Sequence, residues 1–458
     1  MMIGEYPGFT PMRKGLLLHL ATMRLICHLA LSLGLIGAVA LQRVSAAAVS
    51  TATVSQQCEQ IYAKGWRPLP GRHEASVPAT PRPAKGVALA DPVYGSCVIR
   101  ATDHEAETGK GFLRNDYSRR QAFNADNSRF IVNSEDGSWH LYDAERLTYL
   151  KRLSDLSGDA EPQWHPTDPR LLRFFPRDGV GMKLYELNVE RGSSRVIADF
   201  GKRVRNIWPT AQSVWTRSEG SPSSDQRYWA LQVDSGTWQG LGLITYDLQE
   251  DKILATYDFG AHRKDRPDHV SMSPSGAYVV VSWNDGVVAF NRDLTQPRLV
   301  QKKGEHSDIA VGAGGDDTYV AVDYESNGGQ VFMVNLRTGE RTDLFPSYLR
   351  GTATAMHFSG KAFKFPGWVL VSTYADYGRG GQQWLHRKLF AVELKANPSI
   401  MNIAFHHSTP AKYWTEPQAS VNRDFTRILF NSNWGTASET DVDAYMVALP
   451  VRSLVTRP

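Results

Sequence analysis

Seven polar residues stand at the start of short apolar runs along this 458-residue chain: Gln121, Gln163, His165, His269, His306, His357 and Gln418. Among them are the residues that move protons. A neutral imidazole, with an unperturbed pKa of about 6.5, takes up a proton at ordinary pH and gives it back. Tyr117, which opens YSRRQAFNADNSRF, carries a hydroxyl suited to proton delivery, and Arg119 and Arg120 bring positive charge to a carboxylate. His104, in RATDHEAE, and the pair His406 and His407 extend the set. Taken singly, a histidine at a strand start is more often a hydrogen-bonded structural residue, and neighbouring arginines also serve as solvated charges at a sheet edge. Four of the 13 histidines falling on these heads is harder to ascribe to packing alone.

The elements that must position these residues are strands. Beyond about residue 87 the chain shows β-branched and aromatic runs, among them FIVNS at Phe130, YVVVSW at Tyr278, TYVAVD at Thr318, WVLVSTY at Trp368 and RILFNS at Arg427. Gly, Asn, Asp and Pro turns separate them, and a second strand follows each, as in WHLYDAERL, LITYDLQED and VFMVNLRTGE. The heads recur roughly every 40 to 55 residues, with one blurred module near Trp215, and a period of that length in short strands predicts β-propeller blades. The expected fold is all-β: a seven-bladed β-propeller of four-stranded antiparallel blades over residues 94–450. The leftover strand YGSCVIRATD, from Tyr94, is expected to close the last blade, which brings the heads into a ring at one channel mouth.

Composition limits the remaining choices. The one long apolar run, LALSLGLIGAVAL from Leu29 to Leu41, follows Arg24 and precedes the small residues VSAAA. At 13 residues it is short for a membrane span and reads as a signal peptide over 1–48, with Met23 as an alternative start. Its removal takes the net charge from +4 to +1, which supports neither nucleic acid nor anionic lipid as a partner. The mature chain is then expected to be periplasmic or secreted and monomeric, without membrane insertion, with an N-terminal extension at 49–93 and a tail at 451–458. Cys58 and Cys97 form a possible disulfide pair in an exported protein. No Gly-x-Ser-x-Gly elbow and no Cys-x-x-Cys pair is present, and GAGGD at Gly312 reads as a hairpin turn.

The segments YSRRQAFNADNSRF, EPQWHPTDP, DHVSMSPSGAYVVVSW, EHSDIAV and HHSTPAKYWTEPQASVNRDFTRILFNSNWG resemble the seven-bladed β-propeller polysaccharide lyases, a set that includes oligogalacturonate, ulvan and rhamnose-glucuronate lyases. The resemblance implies β-elimination on a uronic-acid-containing glycan. It implies His165, His269 and His306 as base or acid, Tyr117 as proton donor, Arg119 on the uronate carboxylate, and His104 reaching the mouth. It further implies a divalent cation, Ca or Mn, on His357, His407 and Gln418, although the Gln-x-x-His-x-His spacing of the family is missing after Gln418. The alternative of another class is a non-catalytic, TolB-like propeller that binds a peptide or glycan at the same mouth. Trp164, Tyr413, Trp414 and Trp434 are candidates to stack on sugar rings, with two of the four expected in the core.

Overall fold

The computed structural model describes residues 52–325, 328–409 and 412–454. The proposed leader, 1–48, lies outside the described residues. The chain is nearly all β, with antiparallel meanders following one another in sequence order. Tyr278–Trp283 illustrates how they form: five of its six residues are buried, because valines and aromatic residues pack on both faces between neighbouring sheets. Outer strands such as Lys252–Asp258 alternate between more and less exposed positions, since one face meets solvent.

Four sheets are simple four-stranded antiparallel units, for example His269–Met272, Tyr278–Trp283, Gly286–Asn291 and Arg298–Gln301. The unit from Thr352–Ser359 to Ile400–Phe405 gains the short strands Leu69–Pro70 and Tyr348–Leu349 at its two edges. The unit of Ser420–Val421, Arg427–Ser432 and Val442–Ala448 takes its fourth strand from the other end of the chain. Cys97–Arg100 pairs antiparallel with it, Cys97 facing Ala448 and Arg100 facing Tyr445. Apolar clusters fill the space between successive sheets, and one of them joins Leu429, Ala444 and Met446 to Phe130, Val132 and Tyr142, so the last sheet packs on the first.

The N-terminal segment is fastened to this closure. Thr53 caps the helix Val54–Tyr62 in a reciprocal capping box with Gln56, and Cys58 on that helix forms a disulfide with Cys97 on the closing strand, Cα to Cα 5.4 Å. No helix among the described residues is long and apolar enough to cross a membrane.

Candidate active site

The inner strand of the first sheet is interrupted, and the interruption builds the site. Phe112–Arg114 pairs with the end of Arg129–Ser134, and pairing resumes only at the Phe123–Phe130 bridge. Between them the chain crosses the middle of the molecule. Ser221 donates its hydroxyl to the Arg119 carbonyl at 3.1 Å and Ser420 donates to the Arg120 carbonyl, so two distant sheets hold the crossing segment in place.

Arg119, 4 % exposed, is the centre of this crossing. Its Nε donates to the Ser307 carbonyl, and its Nη1 lies 3.0 Å from Glu219 Oε2 and 2.9 and 2.5 Å from the two ring nitrogens of His269. A guanidinium only donates hydrogen bonds, so the imidazole nitrogen that faces it carries a lone pair. Burial, and secondly the Arg119 charge, push the His269 pKa below its ordinary value. Asp268 also orients that ring, its Oδ2 3.3 Å from Nδ1. Tyr117, Arg119, Glu219, Asp268, Glu305 and His306 line one pocket of about 170 Å³. Burial raises the Tyr117 hydroxyl well above its usual pKa, which keeps it protonated.

Tyr117 also joins this group to a second one. Its ring meets His357 edge-on at 5.7 Å, and the Arg119 guanidinium lies 5.4 Å from its centroid. His306 and His357 have ring centroids 4.2 Å apart, with Tyr374 stacked on His357 at 4.6 Å. His357 Nε2 lies 2.7 Å from Glu416 Oε2, which also accepts from Gln418 Nε2 at 3.2 Å. Burial lowers both imidazoles to about 3 and raises Glu416 to about 7, so the rings are neutral at physiological pH.

Of the residues singled out from the sequence, the structure therefore brings together Tyr117, Arg119, His269, His306, His357 and Gln418. Others lie elsewhere. His165 uses its Nδ1 to accept the Asp168 amide at 2.9 Å, which fixes a turn. His104 sits by Asp443 in an ion-pair cluster at the closing seam. Burial opposes its protonation, but contact with Asp443 and the charges of Asp443 and Asp441 together outweigh that and raise its pKa. His407 stacks on Trp434 at 4.2 Å, in a pocket walled by Val77 to Thr80. Gln121 and Gln163 line another pocket, with Lys361 and Arg423. Trp164 and Trp434 are core, whereas Tyr413 and Trp414 are 38 % and 37 % exposed.

The split has a register cause. The innermost turn of several sheets closes with an amide that bonds to the start of the next strand: Ser223 to Tyr228, Ser273 to Tyr278, Asn422 to Arg427, and His165 to Leu171 across one residue more. Four residues before those amides stand Glu219, His269, Gln418 and Glu161. The two Glu-Pro-Gln motifs are thus out of register by two residues, about 7 Å along a strand, and Glu161, not Gln163, is the counterpart of Gln418. Both adopt the left-handed region, φ 48° and 42°. Glu161 accepts the Thr216 and Ser218 amides and so supports the loop that carries Glu219. Sequence reading missed Glu219, Asp268, Tyr374 and Glu416. Aligning SSDQRY with SPSGAY on the turn, instead of on the heads, places Glu219 opposite His269.

Three groups of donors bear on a metal, and in one of them, His104, Asp441 and Asp443, the carboxylates are already paired with Arg82 and Arg100. Glu219, Asp268 and His269 present ligand atoms within 4.8 Å of one another, but the Arg119 guanidinium stands among them, which disfavours a cation there. His306, His357, Glu416 and Gln418 form a further set of donors with no cationic side chain bonded among them. Gln418 Oε1 and His357 Nδ1 are buried without a hydrogen-bond partner, and neutral imidazole, amide oxygen and carboxylate together suit a divalent ion such as manganese.

No protein-family model and no curated protein sequence matches this chain. Solved structures do. An oligogalacturonate lyase from Vibrio parahaemolyticus superposes with a TM-score of 0.55 at 14% identity, covering 80% of this chain and 96% of its own. An oligogalacturonate lyase in complex with manganese superposes with a TM-score of 0.56 at 16% identity, covering 81% of this chain and 97% of its own. The chain has the propeller-like fold of these lyases.

Proposed function

We propose that this protein is an exported polysaccharide lyase that cleaves a uronate-containing glycan by β-elimination in a seven-bladed propeller. The observation that carries the reading is the convergence of Tyr117, Arg119, Asp268 and His306 on one pocket, with His269 held directly against Arg119 and His357, Glu416 and Gln418 behind His306. The apolar clusters between successive sheets support the blade count, and the Cys58–Cys97 disulfide is compatible with an oxidising compartment.

A uronate carboxylate entering the pocket competes with His269 for the Arg119 guanidinium. Charge neutralisation makes the adjacent C5 proton more acidic, and the guanidinium stabilises the enolate that forms as that proton leaves. His269, freed at the nitrogen that faced Arg119, takes the C5 proton, while Asp268 orients the ring and Glu219 holds the arginine. The electron pair becomes the C4–C5 double bond as the C4–O bond breaks. Tyr117 delivers its proton to the departing oxygen. A divalent ion held by His306, His357, Glu416 and Gln418 would add positive charge against the carboxylate. Tyr413 and Trp414 offer exposed faces on which sugar rings can stack.

The test is ultraviolet absorbance during incubation with a panel of uronate glycans, with and without a chelator, for the native protein and for His269→Ala and His306→Ala. Rising absorbance from the unsaturated uronate, abolished in His269→Ala, is the expected result. A flat trace across the panel from folded native protein moves the assignment to a non-catalytic binding propeller.

A further inference from the structure

Arg423 is a charged side chain with no charge to meet. It is 7 % exposed, and among the described residues no carboxylate pairs with it. Its Nη1 has one weak contact, to the Ser224 carbonyl at 3.4 Å, and its Nε is buried without any acceptor. A buried guanidinium left in this condition is destabilising, so proteins supply a counter-charge. The carboxylate bound to the neighbouring Lys361 is already committed: Asp308 accepts from Lys361 Nζ at 2.9 Å and from the Gly360 amide at 2.7 Å. Asp225 is exposed and takes bonds from Ser223 and Arg227.

Arg423 and Lys361 share a small pocket with Gln121, Gln163, Ser221 and Ser224, and Phe363 forms an apolar wall. The lining residues come from the first, second, third, sixth and last sheets, where their inner turns meet. The centre of a water-sized particle has about 20 Å³ to move in, room for one small ion or water. Burial alone pulls Arg423 down to about 10, which still leaves it charged at neutral pH.

We infer that this pocket holds a single monatomic anion, a halide, bound by the Arg423 guanidinium with Lys361 alongside, and that the anion joins the converging turns. The site is independent of the proposed lyase activity. A water molecule satisfies the cavity's volume but leaves the guanidinium uncompensated, and that difference makes the inference testable.

Crystals of the native protein grown or soaked in sodium bromide are expected to show one anomalous peak beside Arg423. Density there without anomalous signal overturns the inference. In solution, the thermal midpoint is expected to be about 2–4 °C higher in 0.3 M chloride than in gluconate of equal ionic strength. Arg423→Met is expected to abolish that difference, and equal midpoints for the native protein in the two salts count against the site. Because the bromide experiment uses the native protein, it decides the question even if the variant fails to fold.

Discussion

At the residue scale, the proposal turns on one guanidinium serving two partners in succession. Arg119 restrains His269 in the empty pocket and would neutralise a carboxylate in the filled one. Lysine keeps the charge but loses the planar fork that bonds Ser307, Glu219 and His269 at once, so Arg119→Lys is expected to lower kcat/KM by about 10²-fold or more. The pH profile gives a second check. His269 must be unprotonated to act, and burial together with Arg119 disfavours its imidazolium, so the acid limb of kcat/KM is expected below pH 6.5 with a plateau above it. Replacing Arg119 by Met removes one of those two causes. The residual activity of that variant is expected to show an acid limb shifted upward, toward 6.5.

At the element scale, the site depends on how closely two inner strands approach. A Cβ on Gly220 would lie 1.9 Å from the Val270 carbonyl and 2.6 Å from Thr216 Cβ. Glu219 and His269 are the neighbours of those residues, so Gly220→Ala is expected to separate them and to lower activity by at least tenfold while circular dichroism still reports native sheet content. The closing strand gives a prediction about stability. The disulfide spans 39 residues and ties the capping helix to the strand that completes the last sheet. In the chain-entropy account a loop of that size contributes about 4 kcal/mol. Cys58→Ser with Cys97→Ser is expected to lower the thermal midpoint by several degrees, and reduction of the native protein should reproduce the loss.

At the scale of the whole molecule, buried histidines set the response to acid. Burial holds His140 and His407 at about 4 and His406 at about 3, below the ordinary 6.5. Below pH 6.5 the unfolded chain therefore binds more protons than the folded one, and stability falls with pH until the folded values are passed. Glu161, raised by burial to about 7, acts in the opposite sense between pH 4.5 and 7, where the folded state holds the extra proton, and has no effect on the slope below 4.5. Thermal midpoints measured by circular dichroism are expected to decline from pH 6.5 downward, and more steeply below 4.5.

The sequence by itself determined that the chain forms sheets, because β-branched and aromatic runs between turn residues have no other way to bury both faces. It also pointed to pairing of the segment around Cys97 with residues near the other end, since YGSCVIRATD stands outside the repeated modules. The polar heads were legible as types. Their grouping was not, because whether two heads meet depends on how far each stands from its turn, and a slip of two residues moves a side chain about 7 Å along the same face. That is why His269 and Gln418 share the site while Gln163, inside the same Glu-Pro-Gln motif as Gln418, lies beside Arg423. Only the tertiary structure decided that Arg119 crosses the molecule to reach His269 and Glu219. The contact joins residues 100 and 150 positions apart, and no local pattern encodes which strand a crossing arginine will meet.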